Sequence, residues 1–593
     1  MPRLAAPLAL AVAASALVAV PTADAATAPP SVTTTDAGGR SLHQMLGAHP
    51  GRTLREGTPH QAGLLASYAD RVVTDAAAGV DQGLYPSESV ITGRHGVVAE
   101  QGAAGMALEY ADRDGTELPQ DQQIPATEST IYDLASLSKL FTSVVAVQQL
   151  QAGRLQLDRT VASYLPAFGN HGKDTITVRQ LLTHTSGLRP DPEPGLWTYD
   201  TMAQRRAAIL TETPAAAPGS TYTYSDLNMM SLQLLLEKVT GTPLETLVHD
   251  GITGPLGMRD TGYNPPASEK RRIAATEFED GSYDSGETPG PDRGLVWGQV
   301  HDENAWALGG VSGHAGVFST AHDLAILAQT MLNGGQYGRT RILQQRWVEA
   351  LMTNENSEFP GDSHGLGFEL HQYFYMGAMA TPFTAGHTGY TGTSFVVDPT
   401  TDSFAILLTN RVHPNRDGAS TNPARRAVTG DMARAVAVRP VAGKDAWFAG
   451  FADATTATLS TTVDLPAGRP ASLTWASWYD TEPDADTFSL QASTDGGATW
   501  TPVPFRLDGR GVHVDTKGTV SGYEGRQWLR ASADLSSLSG PVRLRWVSTT
   551  DTLQHGRGVY VDRVQVRSGR RLVLDGEHSP GRLVGDGWTR ARD

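Results

Sequence analysis

The chain has 593 residues, with 47 cationic and 63 acidic side chains and a net charge of −16. That length exceeds one ordinary domain, and the negative balance argues against non-specific nucleic-acid binding and against an anionic membrane surface. There is no cysteine, which removes disulfides, thiolate catalysis and cysteine-ligated zinc.

In chain order the first feature is N-terminal. Arg3 precedes an alanine-rich apolar run from Leu4 to Val20, followed by Pro21 and the triplet Ala23-Asp24-Ala25. A basic start, an apolar stretch and a small-x-small triplet make a secretory signal, with cleavage expected after Ala25. The run is short for a membrane span of ~20 residues. No second apolar span follows, so the mature protein is expected to be extracellular and free of membrane. Residues 26–60, rich in Thr, Pro, Ala and Gly, read as a flexible leader.

From 61 to 438 helical and strand-like runs alternate without an internal repeat, as in a mixed α/β domain. Ser89–Thr92 and Val97–Ala99, around Gly93-Arg94-His95-Gly96, read as an early hairpin. The stretch Tyr132-Asp133-Leu134-Ala135-Ser136-Leu137-Ser138-Lys139 opens a buried helix. Leu137, Leu140, Phe141, Val144, Val145, Val147 and Leu150 recur at helical spacing, and Gly153 offers a stop. Ser136 and Lys139 then share a face, and a helix start near Ser136 places a positive dipole end there. Lysine beside serine can accept its proton or support an alkoxide. Only six lysines occur in the chain, and arginine cannot substitute in base chemistry. A lysine at this place therefore points to chemistry.

Farther on, Tyr222-Thr223-Tyr224-Ser225-Asp226-Leu227-Asn228 lies between Pro218-Gly219 and a helix from Met229 to Val239. Ala385-Gly386-His387-Thr388-Gly389-Tyr390-Thr391-Gly392 leads into a strand. Strands are expected at Gly367–Leu370, Thr393–Asp398 and Phe404–Leu408, the last two joined by a turn at Pro399-Thr400-Thr401-Asp402. A helical run from Ala424 to Val438 closes the domain, and 439–445 reads as a linker. Beyond it, 446–593 shows short strands such as Leu473–Trp475, Phe488–Ala492, Val542–Trp546 and Val559–Val561. Asp495-Gly496-Gly497 marks a tight hairpin, and the region reads as an all-β sandwich.

Serine-x-x-lysine, tyrosine-x-aspartate and histidine-threonine-glycine, in that order, resemble the serine β-lactamase and penicillin-binding protein superfamily. The resemblance is nearest to class C β-lactamases, D-alanyl-D-alanine carboxypeptidases and β-lactamase-like esterases. It spans about 61–436 and includes the phrase Leu181-Leu182-Thr183-His184-Thr185-Ser186-Gly187-Leu188. It implies an α/β (α+β) transpeptidase-like domain with a mostly antiparallel sheet and a helical subdomain. It also implies Ser136 as acylated nucleophile, Lys139 as its partner and Tyr224 as proton shuttle. The Ser136 and Tyr390 N–H groups would form the oxyanion hole, and Asp226, His387, Thr388 and Gly389 would meet substrate. No metal or other cofactor is implied. Two positions depart from the common pattern: Asp226 stands where asparagine is usual, and His387 where lysine is. Both remove donor capacity or positive charge where a substrate carboxylate would dock, which favours esterase or peptidase over β-lactamase activity.

Other signals rank lower. Gly361-Asp362-Ser363-His364-Gly365 matches a nucleophile elbow but lacks the preceding strand and following helix, so it reads as a loop. His301-Asp302-Glu303-Asn304 and Gly313-His314-Ala315-Gly316 have no metal-motif spacing, and His314 reads as a structural loop histidine. The sandwich resembles jelly-roll modules of secreted immune-inhibitor-type peptidases, which implies contact with cell wall or carbohydrate. An exposed Trp478 would serve such contact, whereas Trp475, Trp500 and Trp546 read as core. Asp484, Asp486 and Asp562 offer oxygen ligands for calcium but read as solvated loop acids. The expectation is an exported serine hydrolase acting through an acyl-enzyme on esters or D-amino-acid peptides. The alternatives are a weak β-lactamase or a non-catalytic peptidoglycan-binding protein of the same fold.

Overall fold

The strand Ser403–Thr409 shows how the central sheet is built. Phe404, Ile406 and Leu408 point to one face and join the large core, while Ala405 and Leu407 point to the other and join a second cluster. A strand buried on both faces needs a continuous apolar run rather than alternation, which is what Phe404-Ala405-Ile406-Leu407-Leu408 supplies. The computed structural model describes residues 36, 39–281, 289–522 and 524–592. The proposed signal segment 1–25 lies outside them.

The hydrolase half contains helix α1 (Arg71–Asp81), strands β1 (Ser87–Arg94) and β2 (Val97–Leu108), and helices α2 (Ser138–Gln151), α3 (Asp226–Thr240) and α4 (Ala321–Leu332). Strands β3 (Glu369–Leu370), β4 (Ala385–Thr388), β5 (Ser394–Asp398) and β6 (Ser403–Thr409) follow, then helix α5 (Asn422–Arg434). The sheet runs β2-β1-β6-β5-β4-β3, with antiparallel pairing throughout this path. Helices α1 and α5 cover one face, and α2, α3 and α4 belong to the core on the other. Helix α2 is buried nearly all round, as expected of a helix apolar on every side.

Most of the expected elements form at the expected places, with one register-level difference at the nucleophile. The α-helix begins at Ser138, and Ser136 sits in a 3₁₀ turn, Ala135–Leu137, ahead of it. The segment 26–60 also differs from a flexible leader in its described part. Ser41 and Gln44 cap a helical turn, Leu42–Met45, and Arg55–Glu56 pairs in parallel with Val97 and Val98. Met45 and Leu46 are buried. Leu42, Met45 and Leu46 bury one side of the turn, a pattern that polar and Pro-rich surroundings hide.

The C-terminal part is a sandwich of two antiparallel sheets. One contains β8 (Ala471–Asp480), β10 (Leu529–Asp534) and β12 (Gly558–Ser568); the other contains β7 (Thr456–Leu465), β9 (Thr487–Ser493) and β11 (Gly540–Thr549). Trp475 and Trp546 lie in the core between the sheets. Trp500 does not: it lies half-buried with Arg545 4.0 Å from its ring. Trp478 is not exposed either. It points away from Trp475 into a cluster with Val438, Ala446, Phe448 and Tyr560 and is 3% accessible. The outer face of that sheet is thus covered by the chain entering the sandwich, which removes Trp478 as a sugar platform.

The two halves share further contacts. Arg526, paired with the buried Asp480, donates to the carbonyls of Ala378 and Ala380. Arg557 donates to Val436 O, and Trp528 Nε1 to Arg439 O at 2.8 Å. Asp562 accepts from the Val441 and Ala442 N–H groups at 2.8 and 2.9 Å, so it stabilises the connecting stretch. Among the described residues no helix is long and apolar enough to cross a membrane.

Candidate active site

Ser136 is presented by a strained turn. Ala135 has φ 47°, a left-handed conformation that non-glycine residues adopt at a cost. Asp133 holds it there, accepting from the Ala135 N–H at 2.9 Å and from the His301 N–H at 2.6 Å. Thr391 and Thr393 donate to the carbonyls of Asp133 and Leu134 at 2.7 and 3.0 Å. The turn after β4 is thereby fixed against the turn that carries Ser136. Gly389 permits this approach: a Cβ there would lie 2.4 Å from Leu134 O and 2.1 Å from Thr393 Oγ1. The last ladder pair of β4 is Thr388 with Ser394, so the Tyr390 N–H lies beyond the ladder.

Lys139 extends from the first turn of α2, 1% exposed at its side chain. Its Nζ donates to Ser136 Oγ at 2.8 Å and to His314 O at 3.3 Å, and meets Asp226 Oδ1 at 2.6 Å. The Tyr224 ring centroid is 4.8 Å from Nζ. Burial would lower the pKa of this ammonium, but Asp226 and Tyr224 outweigh that effect and hold it above the ordinary lysine value. Burial pushes the Tyr224 phenol up to about 12 in spite of Lys139. The resting pair is therefore a charged lysine and a neutral tyrosine.

The phrase around His184 supports the tyrosine loop. His184 O accepts from the Thr223 N–H at 2.9 Å, and His184 Nδ1 from the Ser225 N–H at 3.1 Å. The His184 ring lies 4.9 Å from that of Tyr224. Burial, then His364, Lys139 and His387, keep His184 neutral. His387 on β4 is 1% exposed, and its ring lies 5.9 Å from that of Tyr224. Its Nδ1 bonds Thr388 O at 2.7 Å. A carbonyl only accepts, so the proton is on Nδ1 and Nε2 is a bare acceptor.

A cleft of about 640 Å³ opens at Ser136. Tyr222, Tyr224, Glu369, Thr388, Gly389 and Tyr390 line it, and Asn422, Arg411 and Arg425 line its basic side. Asp226 and His387, expected to meet substrate, are not among the lining residues. Arg425 donates to Asn422, Gly389 O and Thr393 O, and its Nε is buried without a partner. Burial pushes the Glu369 carboxyl up to about 7. Arg411, Arg425 and Glu369 were not legible as site residues, because each is a single charged residue in an otherwise ordinary strand, loop or helix.

The remaining candidates separate cleanly. Gly361–Gly365 is a loop, with Ser363 Oγ accepting only from Asn354. His314 is buried between Ser312 and Asp302, at 2.7 and 2.8 Å, and contributes its carbonyl to Lys139. His301 pairs with Glu277 at 2.8 Å and stacks on Tyr390 at 5.8 Å. Asp226, Asp302 and His314 bring possible ligand atoms within 4.8 Å of one another, as do Glu277, Glu279 and His301, and Glu482, Asp486 and Asp551. In the first two groups the cations are built in: Lys139 beside Asp226, and Arg416 and Arg293 beside the glutamates. Asp484, Asp486 and Asp562 do not form one group, since Asp562 is taken by the connecting stretch.

A family profile described as Beta-lactamase matches residues 71–430, and one described as Immune inhibitor A-like, MAM domain, matches residues 415–591. Over 393 residues the chain is 34% identical to an Escherichia coli K12 protein named as a candidate D-alanyl-D-alanine carboxypeptidase, covering 62% of this chain and 88% of that one. A similarly named Salmonella typhi protein is 34% identical over 391 residues, covering 62% and 89%. Among solved structures, EstCE1, a hydrolase with promiscuous acyltransferase activity, is 25% identical with a TM-score of 0.47, covering 61% and 99%. A family VIII carboxylesterase is 20% identical with a TM-score of 0.48, covering 62% and 98%. The chain belongs to the beta-lactamase family of serine hydrolases and carries a C-terminal MAM-type β-sandwich.

Proposed function

We propose that this serine hydrolase is exported and works through an acyl-enzyme on Ser136, cleaving amides or esters of D-amino-acid type that bear a carboxylate. The observation that carries the reading is the hydrogen bond of 2.8 Å from Lys139 Nζ to Ser136 Oγ at the edge of the cleft. In acylation Oγ attacks the carbonyl carbon and the bond to the leaving nitrogen or oxygen breaks. The Ser136 proton moves to the Tyr224 oxygen while the Tyr224 proton moves to the leaving group, so a neutral tyrosine suffices. The N–H groups of Ser136 and Tyr390 are the expected donors to the oxyanion. Deacylation by water reverses the proton path.

The substrate class is supported from two directions. Arg411 and Arg425 give the cleft a basic side that matches a carboxylate. The Escherichia coli relative carries a D-alanyl-D-alanine carboxypeptidase name. Export is supported by the Arg3, Leu4–Val20 and Ala23-Asp24-Ala25 pattern.

The test is intact-protein mass after incubation with benzylpenicillin, wild type beside Ser136→Ala. The expected result is an adduct on wild type alone. Absence of an adduct, together with no turnover of D-alanyl-D-alanine peptides or simple esters, overturns the reading in favour of a binding protein.

A further inference from the structure

In this site the lysine sits against a carboxylate as well as against the serine. Its Nζ donates to Ser136 Oγ and His314 O and forms an ion pair with Asp226 Oδ1 at 2.6 Å. An ammonium has three protons and no lone pair, so it can only donate, and the Asp226 carboxylate is the anion in contact with it. Asp226 is the first residue of α3, where Ser225 caps the helix by accepting from the Asn228 N–H and donates to Arg189 O. The Asp226 N–H donates to Pro190 O at 2.7 Å. The backbone that carries the carboxylate is therefore fixed at Ser225 and Asp226, at the positive end of the helix.

We propose that Asp226 is a positioning residue that clamps Lys139 as a permanent ammonium, so that the lysine acts on Ser136 by charge alone and the serine proton travels only through Tyr224. This rests on the acyl-enzyme reading above and specifies how its proton moves. During attack Lys139 keeps all three protons and donates one hydrogen bond to the developing Oγ anion. With an uncharged amide at 226 the same lysine would face its burial without a carboxylate partner and could shed a proton.

Charged and titratable groups face Lys139 from every packed element, and they define what changes. Asp226 and Tyr224 lie at the start of α3, and His314 and Asp302 on the adjoining loops. Asp302 and His314 are paired with each other, so neither competes for Nζ. Asp191 beyond them is pushed up to about 7 by burial and by Asp226 and Asp302. Glu369 on β3 acts from a distance, and His184 and His387 are neutral. Asp226 is thus the carboxylate in direct contact with Nζ. In the group formed by Asp226, Asp302 and His314, Asp226 pairs with Lys139 and Asp302 with His314.

The experiment is a pH titration of the full chain labelled with carbon-13 lysine, wild type beside Asp226→Asn. Six lysines give a resolvable set, and Lys139→Arg assigns the signal. The expected wild-type Lys139 signal does not titrate below about pH 10.5, the ordinary lysine range. In Asp226→Asn its midpoint falls by at least one pH unit. Equal midpoints overturn the proposal. The second readout is the pH profile of ester hydrolysis. Above about pH 8, beyond the titration of Glu369 in the cleft, Asp226→Asn is expected to lose about tenfold in kcat relative to wild type, with KM little changed. Asp226→Glu restores the wild-type profile. A variant that gains activity as the lysine deprotonates overturns the proposal, because the lysine would then be the base. Asp226→Ser carries the same titration if the asparagine variant does not fold. A clamped lysine in a protein that hydrolyses nothing leaves the clamp standing and removes the acyl-enzyme reading instead.

Discussion

A methyl group at residue 389 has no room. It would collide with Leu134 O and Thr393 Oγ1 and push the turn carrying the Tyr390 N–H away from Ser136. Gly389→Ala is expected to lower kcat about 10²–10³-fold, the effect of losing one oxyanion-hole donor, with a smaller change in KM. Steady-state kinetics on an ester substrate checks this. A second residue-scale prediction concerns pH. Burial raises Glu277, but hydrogen bonds from His301 and Arg416 overcome it and bring it down to about 2. His301 is raised by Glu277 against its burial. A lowered carboxyl contributes stability above its unfolded value near 4.3 and loses it as pH falls toward about 2. A raised histidine contributes below its unfolded value near 6.5 and loses it as pH rises through the folded value. The wild-type melting temperature is therefore expected to fall at both ends, from about pH 4.3 downward and above about pH 6.5. Glu277→Gln should flatten both limbs, as measured by scanning calorimetry.

At the scale of the element, the start of α3 carries two tasks. Ser225 caps the helix through the Asn228 N–H and fixes Tyr224 and Asp226 on either side of it. Ser225→Ala is expected to cost about 1 kcal/mol in urea unfolding, the usual value for a lost cap. It should also lower kcat by loosening Tyr224. Helices and strands such as these were legible because their periodicity reports burial: α2 by its six apolar positions from Leu140 to Leu150, β6 by an unbroken apolar run. The strained turn at Ala135 was not legible. Its left-handed backbone is imposed by Asp133, whose own carboxyl binds a loop 168 residues away in sequence. Nor was the direction of Asp226 legible. The motif placed it near substrate, whereas the 2.6 Å contact with Lys139 turns it inward. Trp478 was misplaced for a related reason: alternation along β8 gives two faces but does not say that the second one is covered.

At the scale of the molecule, the sandwich braces the hydrolase half. Arg526 holds the carbonyls of Ala378 and Ala380, directly after the segment whose Gln372 and Phe374 line the cleft. Arg526→Ala strands the buried Asp480 carboxylate. It is expected to destabilise the chain by about 3 kcal/mol or more and to raise KM. Thermal unfolding and kinetics of the full chain check both, with Arg526→Lys expected to recover part of each. For the proposed export, N-terminal sequencing of protein from the culture medium should begin at Ala26.

The composition of 439–445 suggests a linker between two bodies free to turn. Asp562 and Trp528 instead pin its backbone, and Val438, Ala446, Phe448, Trp478 and Tyr560 close over it. Contact, not continuity of the peptide, joins the halves. A chain nicked within this stretch by a protease should therefore migrate as one particle in native gel filtration and still turn over substrate, separating into two pieces only in denaturant. A nicked chain that separates without denaturant would show that the peptide itself is needed to hold the halves together.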